Sequence, residues 1–527
     1  MLKSLFIYKP DQSRKFIIGE SGVNNFTDTT QKLNVFKDVK KNRDYLYKLY
    51  NMPLNGDIVF RDFEIEVNGK RKKALLVSTD GLASRDVIND FILKPLLKLK
   101  DKKCDYSADG ILKELIPHIQ ISKSDNLNEL AEYINFGNAI MFFDGIGEGL
   151  SADVKFWEHK GVDTPQNEAV IQGPNESFNG LLRTNTGLIR KTLNNHFVTC
   201  ENFTCGRTSK TPGAIIYMSN VVNTTLLNEV RFRLGNIDAE YVLSVLDIEK
   251  YIEDATYIPI PQMLTTERPD RVAGAIANGK IAIALNGSSN VLILPVTVSD
   301  FTKSSEDEYL RYPYSAFISF LRIFAVLISL LAPSVFVAMC LYHRELIVTP
   351  LMLAIQSSRL SVPFGIIGEL IIMELCFELI KEAGVRIPGP IGSTVGIVGG
   401  LILGQSAVEA NIVSPIMIIV VAVCGLAGFA IPSYPFSFST RFLRFLYTGA
   451  SALCGIAGIC ILGFINILLY ANTRSFGVDI TYPSSGSFIL TLKTLFTKPL
   501  WKQNFRPDEA KPVDKRDKGF ISRRWKY

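Results

Sequence analysis

Three carboxylates lie in a stretch that is otherwise almost entirely apolar. Residues 369–392 read ELIIMELCFELIKEAGVRIPGPIG, which places Glu369, Glu374 and Glu378 among Leu, Ile, Met, Cys and Phe. An ionisable side chain within a membrane helix usually faces a polar interior, has a partner and serves a function. At 100° per residue, Glu374 and Glu378 lie about 40° apart on a helix, Lys381 shares their face, and Glu369 points about 140° away. The pattern predicts Glu374 and Glu378 as candidates for the lining of a polar pathway.

A purely structural interpretation of the same carboxylates stays open. Glu378 and Glu382 could lie at the membrane surface and pair with Lys381, Arg386 or Arg359, which would only anchor one end of the helix.

The elements around these carboxylates are membrane-like. The uncharged runs 323–341, 412–431 and 446–470 are 19, 20 and 25 residues long, about the length that a helix needs to cross a bilayer. Pro363 opens the helix with the glutamates, and Pro388 and Pro390 prevent its continuation. The next segment, 391–404, contains Gly399 and Gly400 and is too short to cross unaided, so we expect it to be re-entrant or closely packed. These prolines and glycines are candidate hinges.

Topology limits which segments cross the bilayer. If the soluble half and the basic C-terminal tail both lie in the cytoplasm, the number of crossings is even. Three long spans then need one more, and the glutamate helix is favoured because it returns Lys381 and Arg386 to the cytoplasmic side. Arg441 and Arg444 would face outward, against the usual bias, unless their loop dips into the membrane.

Charge and cysteine usage fit a membrane protein with a cytoplasmic part. The net charge is +6, and residues 491–527 carry eleven Lys or Arg against four Asp or Glu, a net of +7. A basic tail after apolar segments is typical of a cytoplasmic end, although it is equally typical of a solvated, disordered tail. The soluble half is not basic, which argues against nucleic-acid binding. The eight scattered cysteines form no CxxC pair or zinc-like cluster.

The soluble half repeats one plan. Residues 72–97 and 213–234 each read as an apolar run, a polar turn and a helix. About 65 residues after each turn, a helix with a C-terminal glycine (Gly137, Gly279) precedes a strand and a turn, Asp144-Gly145 or Asn286-Gly287. The pattern predicts two related α/β subdomains, joined by a linker with a helix over 178–193.

We find no sequence motif that requires catalysis. The soluble half contains no P-loop, no GxSxG and no GxGxxG after a strand. His118, His159 and His196 are isolated and are typical of surface or core histidines. We therefore predict no enzyme, no catalytic or metal site and no cofactor.

Several long stretches resemble the A subunit of GerA-type spore germinant receptors and its stage V sporulation paralogue. The resemblance covers roughly residues 55–505 and is carried by TERPDR (266–271), residues 362–408, VSPIMIIVVAV (413–423), AIPSY (430–434) and RSFG (474–477). In the linker, VIQGPNESF and TNTGLIRK resemble a family motif that usually has arginine at the positions of Gln172 and Asn175. Any role that needs positive charge at these two positions is not carried over.

The resemblance implies a multi-pass protein of the spore inner membrane, with its N-terminal part and tail in the cytoplasm. It implies a homo-oligomeric ring that conducts monovalent cations when a nutrient is sensed, together with a transporter-like B subunit and a lipoprotein C subunit. The soluble subdomains would be thioredoxin-like, without redox chemistry because CxxC is absent.

The expected organisation has five parts: a first α/β subdomain (1–155), a linker (156–205), a second α/β subdomain (206–315), a transmembrane domain of about four spans plus a re-entrant segment (316–475), and a basic tail (476–527). In a ligand-gated channel, Glu374 and Glu378 would line the pore, and Val362 and Phe364 could form an apolar constriction. The main alternative is a non-conducting subunit that anchors and assembles partners. A membrane enzyme or a secondary transporter is disfavoured, because four crossings are few and no inverted repeat is visible.

Overall fold

The fold is taken from a computed structural model of the chain. The described residues are 16, 18, 33–67, 69–97, 106–114, 116, 120–155, 165, 168, 170–386, 404–482, 499 and 503–516.

The first subdomain contains a five-stranded sheet. Its strands are β1 (Ile58–Val67), β2 (Lys70–Thr79), β3 (Ile121–Ser124), β4 (Ala139–Phe143) and β5 (Gly149–Ala152). They lie in the order β1-β2-β4-β5-β3, and each neighbouring pair is antiparallel. Apolar cores lie on both faces of this sheet, one of them around Leu46, Leu75 and Leu130, and the other around Leu76, Ile92 and Met141.

The second subdomain contains a sheet of the same plan. Its strands are β6 (Val198–Cys205), β7 (Thr211–Met218), β8 (Leu264–Thr266), β9 (Ile281–Leu285) and β10 (Val291–Leu294). Their order is β6-β7-β9-β10-β8, and every pair is again antiparallel. The matching strand orders confirm the repeated plan.

Helices cover both sheets. Those of the first subdomain are Val39–Leu49, Arg85–Val87, the π-helical Ile88–Leu93, Lys94–Leu97, Ala108–Glu114 and Leu127–Asn135. The linker helix is Leu182–Thr192, which confirms the predicted helix although it begins four residues later. Those of the second subdomain are Thr224–Gly235, Val245–Ile252, Pro269–Ala277, Val298–Thr302 and Glu306–Tyr309.

The repeated turns form for local reasons. Gly137 and Gly279 follow the helices Leu127–Asn135 and Pro269–Ala277 with φ of 95° and 88°, a conformation that glycine adopts without steric cost. Asp144-Gly145 and Asn286-Gly287 then begin the turns from β4 to β5 and from β9 to β10, again with positive φ at glycine. These sequence predictions are confirmed.

Two finer expectations need correction. A thioredoxin-like sheet is mixed, whereas the described strands of both subdomains pair only in antiparallel fashion. The expected linker 156–205 also contains β6, which pairs with β7 over its whole length. The second sheet therefore begins within the region that sequence analysis assigned to the linker.

A buried ion pair joins the two subdomains through the linker helix. Arg190, which is almost fully buried, donates from Nη2 to Asp57 Oδ1 (2.7 Å), to Asn55 Oδ1 (3.0 Å) and to the carbonyl oxygen of Val198 (2.9 Å). The backbone N–H of Cys200 in β6 also donates to Asn55 Oδ1 (3.1 Å). Burial, and after it the neighbouring Asp57 carboxylate, raises the pKa of the Cys200 thiol against the opposing effect of Arg190, so this cysteine is not a reactive thiolate.

Among the described residues, the membrane half contains four helices of 15 or more residues, to which we give names. The leading helix is Tyr312–Leu341, the glutamate helix is Ile366–Arg386, the short apolar helix is Pro415–Phe429, and the helical hairpin is Tyr434–Asn472. Between the first two lie a short 3-10 turn, Arg344–Leu346, and the helix Thr349–Arg359. The leading helix and the hairpin are long and apolar enough to cross a membrane.

The helical hairpin folds back on itself at Gly455, where φ is 61° and ψ is −140°. Asn466 Nδ2 donates to the Tyr447 hydroxyl at 3.0 Å, although 19 residues of straight helix would separate them by about 28 Å. At the bend, the Tyr342 hydroxyl donates to the carbonyl oxygens of Ala452 (2.8 Å) and Leu453 (2.9 Å). The single continuous span expected over 446–470 is therefore wrong, because the chain reverses within it.

The ends of the membrane helices return to the second subdomain. Phe436, at the start of the hairpin, stacks on Phe301 with ring centroids 5.6 Å apart. After the hairpin, Ser475 donates from its hydroxyl to the carbonyl oxygen of Gln262 (2.7 Å), and short strands pair at Arg474–Ser475 and Val478–Asp479. The two halves of the protein therefore share one interface.

Part of the C-terminal tail also packs on the second subdomain. A 3-10 turn at Asp508–Ala510 places Glu509 Oε2 3.2 Å from Lys280 Nζ, which also contacts Asp300 at 2.7 Å. The described part of the tail, 503–516, is thus attached to the folded protein. The basic residues 517–527 lie outside the described residues.

Candidate functional site

The glutamate helix lies against the short apolar helix and is held closely to it. An added Cβ at Gly425 would overlap the Phe377 ring, so only glycine permits this approach. Lys381 Nζ lies 4.5 Å from the centroid of the Phe429 ring. Because Ile431, just beyond Phe429, belongs to the core that continues into the second subdomain, the Lys381 end of the glutamate helix points toward the soluble half. This is the orientation predicted for Lys381.

Glu369 lies at the opposite end and is fully buried. Its Oε1 accepts a hydrogen bond from Arg359 Nε at 2.9 Å. Its Oε2 accepts from the backbone N–H of Ser414 (3.0 Å) and from the Ser414 hydroxyl (2.9 Å). Both carboxylate oxygens are thus occupied, and Glu369 fastens the start of the short apolar helix.

Glu374 is also buried, but its contacts are less complete. Arg444 Nε in the helical hairpin lies 3.1 Å from Glu374 Oε1, and the side chains are only 2% and 1% exposed. The distance is that of an ion pair, yet the geometry is not that of a hydrogen bond. Neither oxygen of Glu374 accepts a hydrogen bond from a residue that the structure describes. The Arg444 guanidinium thus balances the negative charge of Glu374, but the Glu374 oxygens accept no hydrogen bond from the described residues.

Glu378 is more accessible and contacts two arginines. Its Oε2 accepts from Arg441 Nη1 at 2.6 Å, and its Oε1 accepts from Arg444 Nη2 at 3.3 Å. The Glu378 side chain is 24% exposed, whereas Arg441 and Arg444 are buried. Arg444 therefore bridges the two carboxylates that sequence analysis placed on one face.

Together these residues form two neutral polar groups inside the apolar half, the Arg359–Glu369 pair and the four residues around Arg444. We call this set of three glutamates and three arginines the arginine–glutamate cluster: Arg359, Glu369, Glu374, Glu378, Arg441 and Arg444. Each carboxylate is balanced by an arginine from another helix, as buried charges require. These three glutamate side chains thus face helices of the same chain. The expected surface pairing of Glu378 with Lys381, Arg386 or Arg359 is replaced by pairing with the hairpin.

Arg441 and Arg444 are functional candidates that sequence analysis did not assign. They were expected to face outward unless their loop dips into the membrane, whereas the structure places them inside the helical hairpin, beyond Phe436 and on the soluble side of the bend. Their spacing of three residues puts both on one face of a helix, and that spacing was the available signal.

The span expected over 412–431 is also shorter than predicted. The short apolar helix has 15 residues, about 22 Å of helix, because it begins only at Pro415 and ends at Phe429. Since the hairpin also reverses at Gly455, the number of crossings between 346 and 407 is no longer limited to one.

The candidate constriction residues lie at the Glu369 end. Val362 is half-buried, and Pro363 and Phe364 are exposed in the turn that precedes the glutamate helix. Arg359 Nη2 donates to the carbonyl oxygen of Phe364 at 3.4 Å. Val362 and Phe364 are therefore separated from Glu378 by most of the helix. Pro388, Pro390, Gly399 and Gly400, the remaining hinge candidates, lie outside the described residues.

The TERPDR motif fastens the linker. The buried Arg268 guanidinium donates to the carbonyl oxygens of Glu168 (3.2 Å) and Pro174 (2.8 Å) and pairs with Asp270 at 2.8 Å. Arg271 Nη1 lies 2.5 Å from Glu168 Oε1. Gln172 and Asn175 are exposed in the clamped loop. The motif thus holds the linker on the second subdomain.

Comparisons with known proteins agree on one family. The profile of the family described as Bacillus/Clostridium GerA spore germination protein matches residues 44–509. Spore germination protein KA of Bacillus subtilis (strain 168) is 34% identical over 463 residues, which cover 88% of this chain and 85% of that protein. The uncharacterized membrane protein YfkQ of the same organism is 34% identical, over 86% of this chain and 88% of that protein.

A solved structure is also similar. The crystal structure of the N-terminal domain of the A subunit of the Bacillus megaterium spore germinant receptor GerK3 is 26% identical, covers 50% of this chain and 96% of that chain, and has a TM-score of 0.37. The family profile covers most of this chain, and the two relatives match it over most of their own length. These findings identify the family. The chain belongs to the GerA family: it is a membrane protein and a spore germinant receptor A subunit, not an enzyme.

Proposed function

We propose that this A subunit assembles with copies of itself into a ring in the spore inner membrane and conducts monovalent cations when a nutrient is sensed. Its partners would be the transporter-like B subunit and the lipoprotein C subunit of a germinant receptor. The observation that supports conduction best is Glu374, a carboxylate buried among membrane helices, balanced by Arg444 but not hydrogen-bonded within the described residues.

The proposed resting state is closed because the carboxylates are neutralised within each chain. Arg444 balances Glu374, and Arg441 balances Glu378, so no net negative charge faces a pathway. A cation pathway needs rings of uncompensated carboxylates or carbonyl groups. A shift of the helical hairpin relative to the glutamate helix would separate these pairs. A symmetric assembly would then present one Glu374 and one Glu378 from every copy.

The hairpin is suited to such a movement. Its two arms, 434–454 and 456–472, meet at Gly455, and both arms end at the second subdomain through Phe436 and Ser475. A displacement of that subdomain would thus act directly on the arm that carries Arg441 and Arg444. Val362 and Phe364 would form the apolar constriction at the other end of the pathway.

A non-conducting subunit that anchors and assembles partners is the second candidate, and so is the sporulation paralogue that amplifies germination. One observation favours the anchor: the arginine–glutamate cluster is electrically complete within one chain and needs no neighbouring copy. Such a cluster would simply fix the packing of four helices.

Spores distinguish these functions. Spores that carry Glu374→Ala should release monovalent cations abnormally after nutrient addition, at unchanged protein level. Glu345→Ala is the matched control, because Glu345 is a largely exposed glutamate of the membrane half that takes no part in the arginine–glutamate cluster. Normal release by the Glu374→Ala spores would contradict the assignment of Glu374. Absence of any flux from the purified protein in liposomes, alone and with its partners, would favour the anchor.

A further inference from the structure

One loop of the second subdomain reaches the level of the membrane helices. The loop 253–263 follows the helix Val245–Ile252, and the carbonyl oxygen of Pro259 accepts a hydrogen bond from the Ser439 hydroxyl. Ser439 lies five residues after Tyr434, about 7.5 Å along the helical hairpin from its start. The loop therefore extends past the beginning of this membrane helix.

The loop is firmly held. Gln262 Oε1 accepts from the backbone N–H groups of Asp254 (2.8 Å) and Ala255 (2.9 Å), and its Nε2 donates to the carbonyl oxygen of Ala255 (2.6 Å). Ile260 is buried in the core that also contains Ile431 and Phe436. The conformation of the loop is thus set by its own side chains and by the membrane helices.

Tyr257, at the tip of this rigid loop, is 94% exposed. Other exposed aromatic side chains lie near the soluble ends of the membrane helices: Tyr312, Tyr314, Phe317, Tyr434 and Phe438. Tyrosine is enriched where a membrane meets water, because its ring is apolar and its hydroxyl can stay hydrated. Tyr257 continues this aromatic zone from the soluble subdomain.

We propose that Tyr257 inserts into the headgroup layer of the bilayer and that the loop 253–263 is a lipid contact of the second subdomain. The occupant is lipid because the loop lies beside the second turn of the helical hairpin, about 10 Å along the helix before the uncharged run that begins at residue 446. The neighbouring Glu249, Glu253 and Asp254 are acidic, so attraction to anionic lipid does not drive the contact. Insertion should therefore occur equally in zwitterionic and anionic membranes.

The test uses the full chain in phosphatidylcholine vesicles, with its native cysteines replaced and a nitroxide attached at Tyr257→Cys. Phe91→Cys is the matched control, because Phe91 is an exposed aromatic residue of the first subdomain. We expect the label at 257 to collide more often with oxygen than with a water-soluble nickel chelate, and the label at 91 to show the reverse. Adding anionic lipid should leave both ratios unchanged.

Two results would overturn the proposal. A label at 257 that is as accessible to the nickel chelate as the label at 91 would place the loop in water. A label that is inaccessible to both reagents, with short distances between labels on neighbouring copies, would show that a second copy covers the loop. Neither result depends on whether the protein conducts ions.

Discussion

Arg444 Nε lies 3.1 Å from Oε1 of Glu374, and both side chains are almost completely removed from solvent. These residues come from two helices that are far apart in the sequence. The pair explains why an apolar helix can carry a carboxylate at this position. It also makes the helical hairpin and the glutamate helix electrostatically dependent on each other.

The first prediction concerns the stability of this pair. Arg444→Gln should destabilise the protein by about 3–5 kcal/mol, since removal of one partner leaves a buried charge uncompensated. The double variant Glu374→Gln/Arg444→Gln should recover much of the loss. Thermal unfolding in detergent measures both. Equal stability of the single and double variants would mean that the two residues are not coupled.

Arg441→Gln provides the internal comparison. Its partner Glu378 is partly exposed and keeps a contact with Arg444 at 3.3 Å. The loss should therefore be smaller than for Arg444→Gln.

The second prediction concerns the bend at Gly455. Tyr447→Cys and Asn466→Cys, introduced together in a cysteine-free background, should be joined by a short bifunctional maleimide within one chain. The native side chains are hydrogen-bonded at 3.0 Å in the hairpin, whereas a straight helix would place them about 28 Å apart. Mass spectrometry of the digested protein detects the link. Efficient labelling of both cysteines without any link would indicate a straight helix.

Gly455→Ala tests whether the bend requires glycine at this position. Its φ of 61° is unfavourable for alanine, and an added Cβ would approach the Tyr342 side chain to 3.1 Å. We expect lower stability and less cross-linking.

The third prediction concerns the contact between subdomains. Arg190→Gln should leave Asp57 buried without its cation, and Asp57→Asn should leave Arg190 unbalanced, so each should cost several kcal/mol. Arg207→Gln is the control, because its pair with Asp238 is largely exposed and contributes about 1 kcal/mol or less. Urea unfolding, followed by tryptophan fluorescence, compares the three. Equal losses would contradict a coupling role for Arg190.

The fourth prediction concerns acid stability. Burial lowers the pKa of His196 to about 4, and its Nε2 has no hydrogen-bond partner among the described residues. At pH values below about 6.5, the ordinary pKa of histidine, His196 therefore binds a proton more readily in the unfolded chain than in the folded one. Stability should fall as the pH decreases from about 6.5 to about 4, by roughly 1.4 kcal/mol per pH unit at most.

His196→Phe should flatten that pH dependence while keeping the aromatic contact with Phe197. The melting temperature in detergent, measured between pH 4 and 8, provides the comparison. An unchanged slope in the variant would assign the acid sensitivity to other groups.

The soluble half was largely predictable because its signals are local. Gly137, Gly279 and the turns at Asp144-Gly145 and Asn286-Gly287 depend on conformations that a few adjacent residues determine. The relative directions of the strands could not be predicted from the sequence, because strand pairing joins segments that are distant in sequence. The thioredoxin-like fold was implied only by the family resemblance, and the described strands are antiparallel instead.

The membrane half was less predictable for the same reason. Gly455 lies in an uninterrupted apolar run, and its reversal is stabilised by Tyr342 from another helix. The carboxylates were recognised by their unfavourable surroundings, but their partners Arg441 and Arg444 became evident only when the hairpin was in place. The sequence thus identified the carboxylates in the apolar half, but not the arginines that balance their charge.

The most direct test of the central claim is passive cation efflux from liposomes that contain the full-length chain. Arg444→Gln should leak monovalent cations without any nutrient, because Glu374 loses its intramolecular counter-charge, whereas the wild type and Glu374→Gln/Arg444→Gln should stay closed. Efflux through the double variant as fast as through Arg444→Gln would contradict the proposal that Arg444 keeps the pathway closed by neutralising Glu374. Absence of efflux through Arg444→Gln would contradict it as well.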